Sequence, residues 1–111
     1  KIRTGHVQDG LDLVNKVRIF RIDPDYYTPF AATGEQEAMV LLQKAKFIEC
    51  IGSYVNFFDR RRWNTEDAYK KTIIRDLRDL GQYSIAPDSK LWVQPFPVRV
   101  MQNNPTFRQN Y

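Results

Sequence analysis

The sequence predicts a mainly α-helical chain: an antiparallel two-helix hairpin over about residues 34–60 and 65–81, flanked by extended N- and C-terminal arms. Three observations predict it. All six prolines lie outside residues 35–82, at positions 24, 29, 87, 95, 97 and 105. Because proline breaks helix interiors, long helices are confined to that window. Inside it, apolar residues recur at helical spacing. Outside it, many aromatic residues occur with little else to form a core. At 111 residues the chain is one domain by size, read as an arm (1–33), a helical hairpin (34–82) and a second arm (83–111).

The first helix opens at Thr33-Gly34-Glu35-Gln36, a capping-box pattern with Thr33 at the N-cap and Gln36 at N3. Leu41, Ala45, Ile48 and Val55 form one apolar row; Val40, Phe47, Ile51, Tyr54 and Phe58 form a second beside it. Together they make an arc wider than one neighbouring helix covers. Gly52, in mid-helix, is read as a close helix contact. The basic run Arg60-Arg61-Arg62 suits the negative end of a helix dipole, and Asn64 is placed to cap a second helix. Tyr69, Ile73, Leu77 and Leu80 supply its stripe, and Glu66–Lys70, Asp67–Lys71 and Arg75–Asp79 its i,i+4 pairs. Gly81 ends it, and Trp63 plugs the end of the hairpin.

In the first arm, Leu11, Leu13, Val14, Val17, Ile19, Phe20 and Ile22 fit a short strand or a short helix equally well. Asp23-Pro24-Asp25 turns the chain toward Tyr26, Tyr27 and Phe30. The second arm turns at Ala86-Pro87-Asp88. Pro95 and Pro97 then impose an extended course on the stretch holding Trp92 and Phe96, and Phe107 follows. Disorder competes with docking for both arms. Their Tyr, Trp and Phe content favours docking, since such rings anchor interfaces.

Composition excludes several classes. The net charge is +4, spread as 5 basic and 4 acidic residues in 1–34, 9 and 8 in 35–82, and 3 and 1 in 83–111. No segment has the one-sided charge of a dedicated nucleic-acid binder. The single cysteine, Cys50, excludes an internal disulfide and reads as a small half-buried hydrophobe. No stretch approaches the ~20 apolar residues of a membrane span, and no signal-peptide pattern is present. The chain starts at Lys1 without an initiator methionine, as a processed form or a fragment would. No phosphate loop, nucleophile elbow or metal motif occurs. His6 and Cys50 have no spacing that suggests a catalytic couple. The chain is therefore expected to be no enzyme and to hold no cofactor or metal.

Two segments, Phe58-Asp59-Arg60-Arg61-Arg62-Trp63 and Leu77-Arg78-Asp79-Leu80, resemble motifs of the PsbQ family, extrinsic subunits on the lumenal side of photosystem II. The resemblance covers residues 42–80, and the second motif is one residue shorter than the family pattern. That family forms a four-helix bundle, whereas the prolines here leave room for two long helices. The resemblance implies a non-catalytic protein in the thylakoid lumen of an organelle, stabilising a photosynthetic complex.

These readings converge on an accessory subunit of a large membrane-associated assembly, peripheral to the membrane without spanning it. Tyr26, Tyr27, Phe30, Trp92, Phe96 and Phe107 are its expected partner-binding anchors, with Arg60, Arg61 and Arg62 as a basic contact. The competing class is a small binding module that uses the arginines on RNA or an acidic protein surface.

Overall fold

The computed structural model describes residues 1–109 and contains four α-helices and one two-stranded antiparallel sheet among them: α1 (Val7–Arg18), α2 (Glu35–Glu49), α3 (Val55–Trp63), β1 (Ile73–Asp76), β2 (Gln82–Ile85) and α4 (Val98–Asn103). The chain divides into two units, one ending at Phe57 and the other starting at Phe58, with the boundary inside α3.

In the first unit, a 3-10 turn over Ile2–Thr4 packs on both α1 and α2. Ile2, Gly10, Leu11, Ala38 and Met39 are the buried residues. Gly10 is required by close approach: a Cβ there would lie 2.4 Å from Ile2 Cγ1. The segment after α1 returns along it. Arg18 donates to the Thr28 carbonyl (2.9 Å), and the Asn15 amide both donates to the Phe30 carbonyl (2.9 Å) and accepts from the Phe30 N–H (2.8 Å). This return places the start of α2 beside the start of α1. At the other end, Arg21 forks onto Glu49 at 2.8–3.2 Å. The two helices therefore run side by side in the same direction, joined by a strap. The first arm is thus a packed helix plus a strap rather than a free extended segment.

The predicted first helix is two helices. α2 starts at Glu35, within a residue of expectation, but Gly34 occupies the N-cap and Thr33 makes no capping bond. The helix stops at Glu49 because the chain turns at Gly52, whose φ is +76° and whose α-carbon faces open space. Gly52 is a left-handed turn residue, not a helix contact. Ser53 Oγ accepts from Val55 N–H and starts α3, while the Asn56 amide donates to the Phe47 and Cys50 carbonyls, satisfying the open end of α2.

The predicted second helix, 65–81, does not form: from Ile73 the chain makes a β-hairpin of β1 and β2, so no two-helix hairpin forms there. One helical turn does form, with Tyr69 and Lys70 N–H groups bonding to the Glu66 carbonyl. It is not continued, because the β-branched run Thr72-Ile73-Ile74 fits a strand better. Ile73 pairs with Ile85, Ile74 with Ser84, Arg75 with Tyr83 and Asp76 with Gln82. Asn64 does not cap a helix; its Oδ1 accepts from Lys71 N–H at 3.4 Å and closes the preceding turn. Among the described residues, the second arm is irregular apart from β2, a 3-10 turn over Lys90–Trp92 and the short α4.

Candidate functional site

Much of the apolar surface of this chain faces outward. Among the described residues, twenty-one large apolar side chains are exposed against six buried apolar residues. The exposed ones are ordered. On α2 and the turn after it, Val40, Phe47, Ile48, Ile51 and Tyr54 are exposed, Phe47 at 60% and Ile51 at 78%. On α1 and just beyond it, Leu13, Val17 and Phe20 recur at helical spacing and are exposed as well. Of the second apolar row read from the sequence, Val40 and Phe47 lie on α2 and face outward, whereas Ile51, Tyr54 and Phe58 are exposed but lie beyond the end of that helix and do not continue its face. Burying such rows contributes about 25 cal/mol per Å², so each is a surface that gains free energy by being covered. Lys44 lies within the α2 row and is also exposed.

The expected anchors fall into four groups. Tyr26 is 82% exposed and free to reach outward. Tyr27 and Phe30 are half-buried against their own helix: the Arg18 guanidinium lies 3.4 Å from the Phe30 ring centroid and 5.7 Å from that of Tyr27. Trp92 is buried, its indole N–H donating to the Ala86 carbonyl at 2.7 Å, and so it secures its own turn. Phe96 and Phe107 meet edge to face at 5.6 Å, and the Gln109 amide bonds to both the N–H and the carbonyl of Phe96. Both rings keep an exposed side.

The arginine run is largely engaged within its own unit. Arg60 lies over Trp63 at 5.4 Å and donates to the Tyr69 carbonyl; burial pulls its guanidinium below the ordinary arginine value. Arg62 lies 5.8 Å from the Trp63 ring and pairs with Asp59 at 3.1 Å. Trp63 itself is buried, although its indole N–H meets no acceptor among the described residues. Arg61 is exposed. Two of the three charges thus hold this turn in place, which leaves little of the run for phosphate or an acidic surface.

His6 is exposed and lies 3.8 Å from Asp9; Cys50 is half-buried at the end of α2. Among the described residues, no three His, Cys, Asp or Glu side chains converge as a metal site would require. A shallow open recess lined by Gln8, Ala31, Ala32, Thr33 and Glu37 lies where the strap meets α2. No helix of the described residues is long and apolar enough to cross a membrane.

No family model matches the chain, and neither curated proteins nor solved structures gave a match. Of the two segments that resemble the PsbQ family, the first ends α3, while the second lies at the tip of the β-hairpin, over the 3-10 turn Arg78–Leu80, rather than on a helix.

Sequence reasoning missed the outward faces of α1 and α2 as the leading candidates. The signal was present, since two apolar rows on one helix exceed what one neighbour buries. Part of the arc was expected to pack on a second helix at 65–81, which does not form, and the remainder to be covered by the arms or by another subunit.

Proposed function

We propose that this chain is a non-catalytic accessory subunit that docks on a larger, membrane-associated protein assembly and stabilises it from the surface. The observation that carries this reading is the outward apolar surface of α2 and the turn after it: Val40, Phe47 and Ile48 on the helix, and Ile51 and Tyr54 beyond it. A polypeptide with such a face lowers its free energy by covering it with another protein. Tyr26 adds an exposed ring on the strap, and the outer sides of Phe96 and Phe107 add a second contact in the other unit. The finer setting, a photosynthetic membrane in the thylakoid lumen, rests on the resemblance of residues 58–63 to the PsbQ family.

Fractionation of the source membranes tests the reading. Alkaline or urea washing should release the protein without detergent, as expected for a surface subunit held by apolar protein contacts. Release only by detergent, or recovery entirely in the unbound fraction before washing, would overturn it.

A further inference from the structure

The β-hairpin has one edge built to pair with itself. Leu77 N–H bonds to the Gly81 carbonyl at 3.0 Å, which fixes the alternation along the ladder. Arg75–Tyr83 and Ile73–Ile85 are then the pairs that exchange hydrogen bonds, and Ile74–Ser84 and Asp76–Gln82 are the pairs that do not. The main-chain groups of Gln82 and Ser84 therefore point away from β1, along the outer edge of β2. They have no hydrogen-bond partner among the described residues.

The two edges differ in chemistry. Arg75 and Asp76 stand on β1, and charged residues of this kind guard an edge against pairing. β2 reads Gln82-Tyr83-Ser84-Ile85 and carries no charge, so two copies meet without like charges in apposition. A two-stranded hairpin is marginal in water, and a sheet of three or more strands with an apolar face is far better supported. The side chains of Ile73, Arg75, Tyr83 and Ile85 share one face by register, and Tyr83 is 58% exposed.

We infer that the outer edge of β2 pairs with β2 of a second copy of this chain, antiparallel about a two-fold axis through Tyr83, to form a continuous four-stranded sheet. In that register the N–H and carbonyl of Gln82 exchange with those of Ser84 in the other copy, and the reverse. Only these residues have outward groups, so the axis through Tyr83 uses every one of them. The two Tyr83 rings then become a directly opposed pair without hydrogen bonds between their main chains, the arrangement in which side chains approach most closely. The interface is isologous, with the same patch on both copies. It goes beyond the accessory-subunit reading and uses none of the residues of the α2 row.

The test is a thiol trap in the purified full chain with Cys50→Ser. Tyr83→Cys should give a covalent dimer under mild oxidation. Ile74→Cys, on the guarded edge of the same hairpin, should give none, because the axis separates the two β1 strands by two intervening strands. Sedimentation velocity of the unmodified chain should show a concentration-dependent dimer. That dimer should be lost in Ser84→Pro, which removes an outward N–H without touching the bonds to β1. A chain that stays monomeric at all concentrations, or a Tyr83→Cys thiol that cross-links no better than Ile74→Cys, would overturn the inference. A dimer that persists in Ser84→Pro with unchanged helical circular dichroism would overturn it too.

Discussion

Gly10 shows how one residue sets the packing of the first unit. Glycine inside a helix costs roughly 1 kcal/mol against alanine when nothing else is at stake. Here Ile2 occupies the space a side chain would need, with Cγ1 2.4 Å from the position of a Cβ. Gly10→Ala should therefore destabilise the chain, by about 1–3 kcal/mol as overpacking does, despite its better helix propensity. Urea unfolding reads this as a lower midpoint; a higher one would contradict the contact. Trp63 is the corresponding anchor of the second unit, and its burial at 5% exposure places it among core residues. Trp63→Ala should cost about 3–5 kcal/mol; a change within about 0.5 kcal/mol, typical of surface positions, would show the ring is not anchored. The burial of Trp63 was legible because a tryptophan beside charged residues stands out, but the two-helix hairpin it was expected to plug does not form. The role of Gly10 was not legible, because what it touches lies in a different turn of the chain. Asn15 was hidden likewise: nothing in its neighbourhood indicates that it pairs with the main chain of Phe30, fifteen residues on.

At the level of elements, the helical window was legible where periodicity and punctuation agreed. α2 begins where Gly34-Glu35 says it should. Its end was misplaced because the apolar rows continue through Phe58, so that Gly52 was read as a close helix contact rather than as a turn residue. Residues 65–81 carry a helical cap, acidic first-turn residues and i,i+4 pairs, yet form a β-hairpin. Short apolar runs fit both periods, and the β-branched Thr72-Ile73-Ile74 decides for the strand. The hairpin holds Arg78 at a φ of +53°, a conformation that strains a side-chain-bearing residue. Arg78→Gly should relieve about 1–2 kcal/mol of that strain and slow amide exchange at Arg75 and Tyr83, the pair that exchanges hydrogen bonds across the strands; faster exchange would contradict the turn geometry. The Arg21–Glu49 clasp makes a pH-dependent link between the strap side of α1 and the end of α2. The hydrogen bond from Arg21 holds the Glu49 carboxyl below its ordinary value. A depressed carboxyl stabilises the fold above its unfolded-state pKa, and the contribution is lost as pH falls through the folded value. Glu49→Gln should thus lie below the unmodified chain in thermal stability at neutral pH and converge with it in acid. Parallel curves at all pH values would show that the clasp contributes nothing.

For the molecule as a whole, the sequence indicated a chain with more apolar surface than its own core can use, and it did so correctly in kind while misplacing the surface. The rings of the arms were expected to reach outward, but Trp92, Tyr27 and Phe30 are largely taken up within the chain. The outward face is instead on α2 and the turn after it, part of which was expected to pack on a second helix that does not form. That row predicts what assembly depends on. The most direct measurement is the native mass of the protein released from its source in mild detergent, compared with a Phe47→Ser/Ile51→Ser variant expressed in the same source. The unmodified protein should migrate with an assembly far larger than one 13.1 kDa chain or a pair of them, and the variant should leave that assembly while keeping its helical circular dichroism and melting behaviour. A protein that runs only at its own mass or as a dimer, or a folded variant that stays in the assembly, would contradict docking through α2.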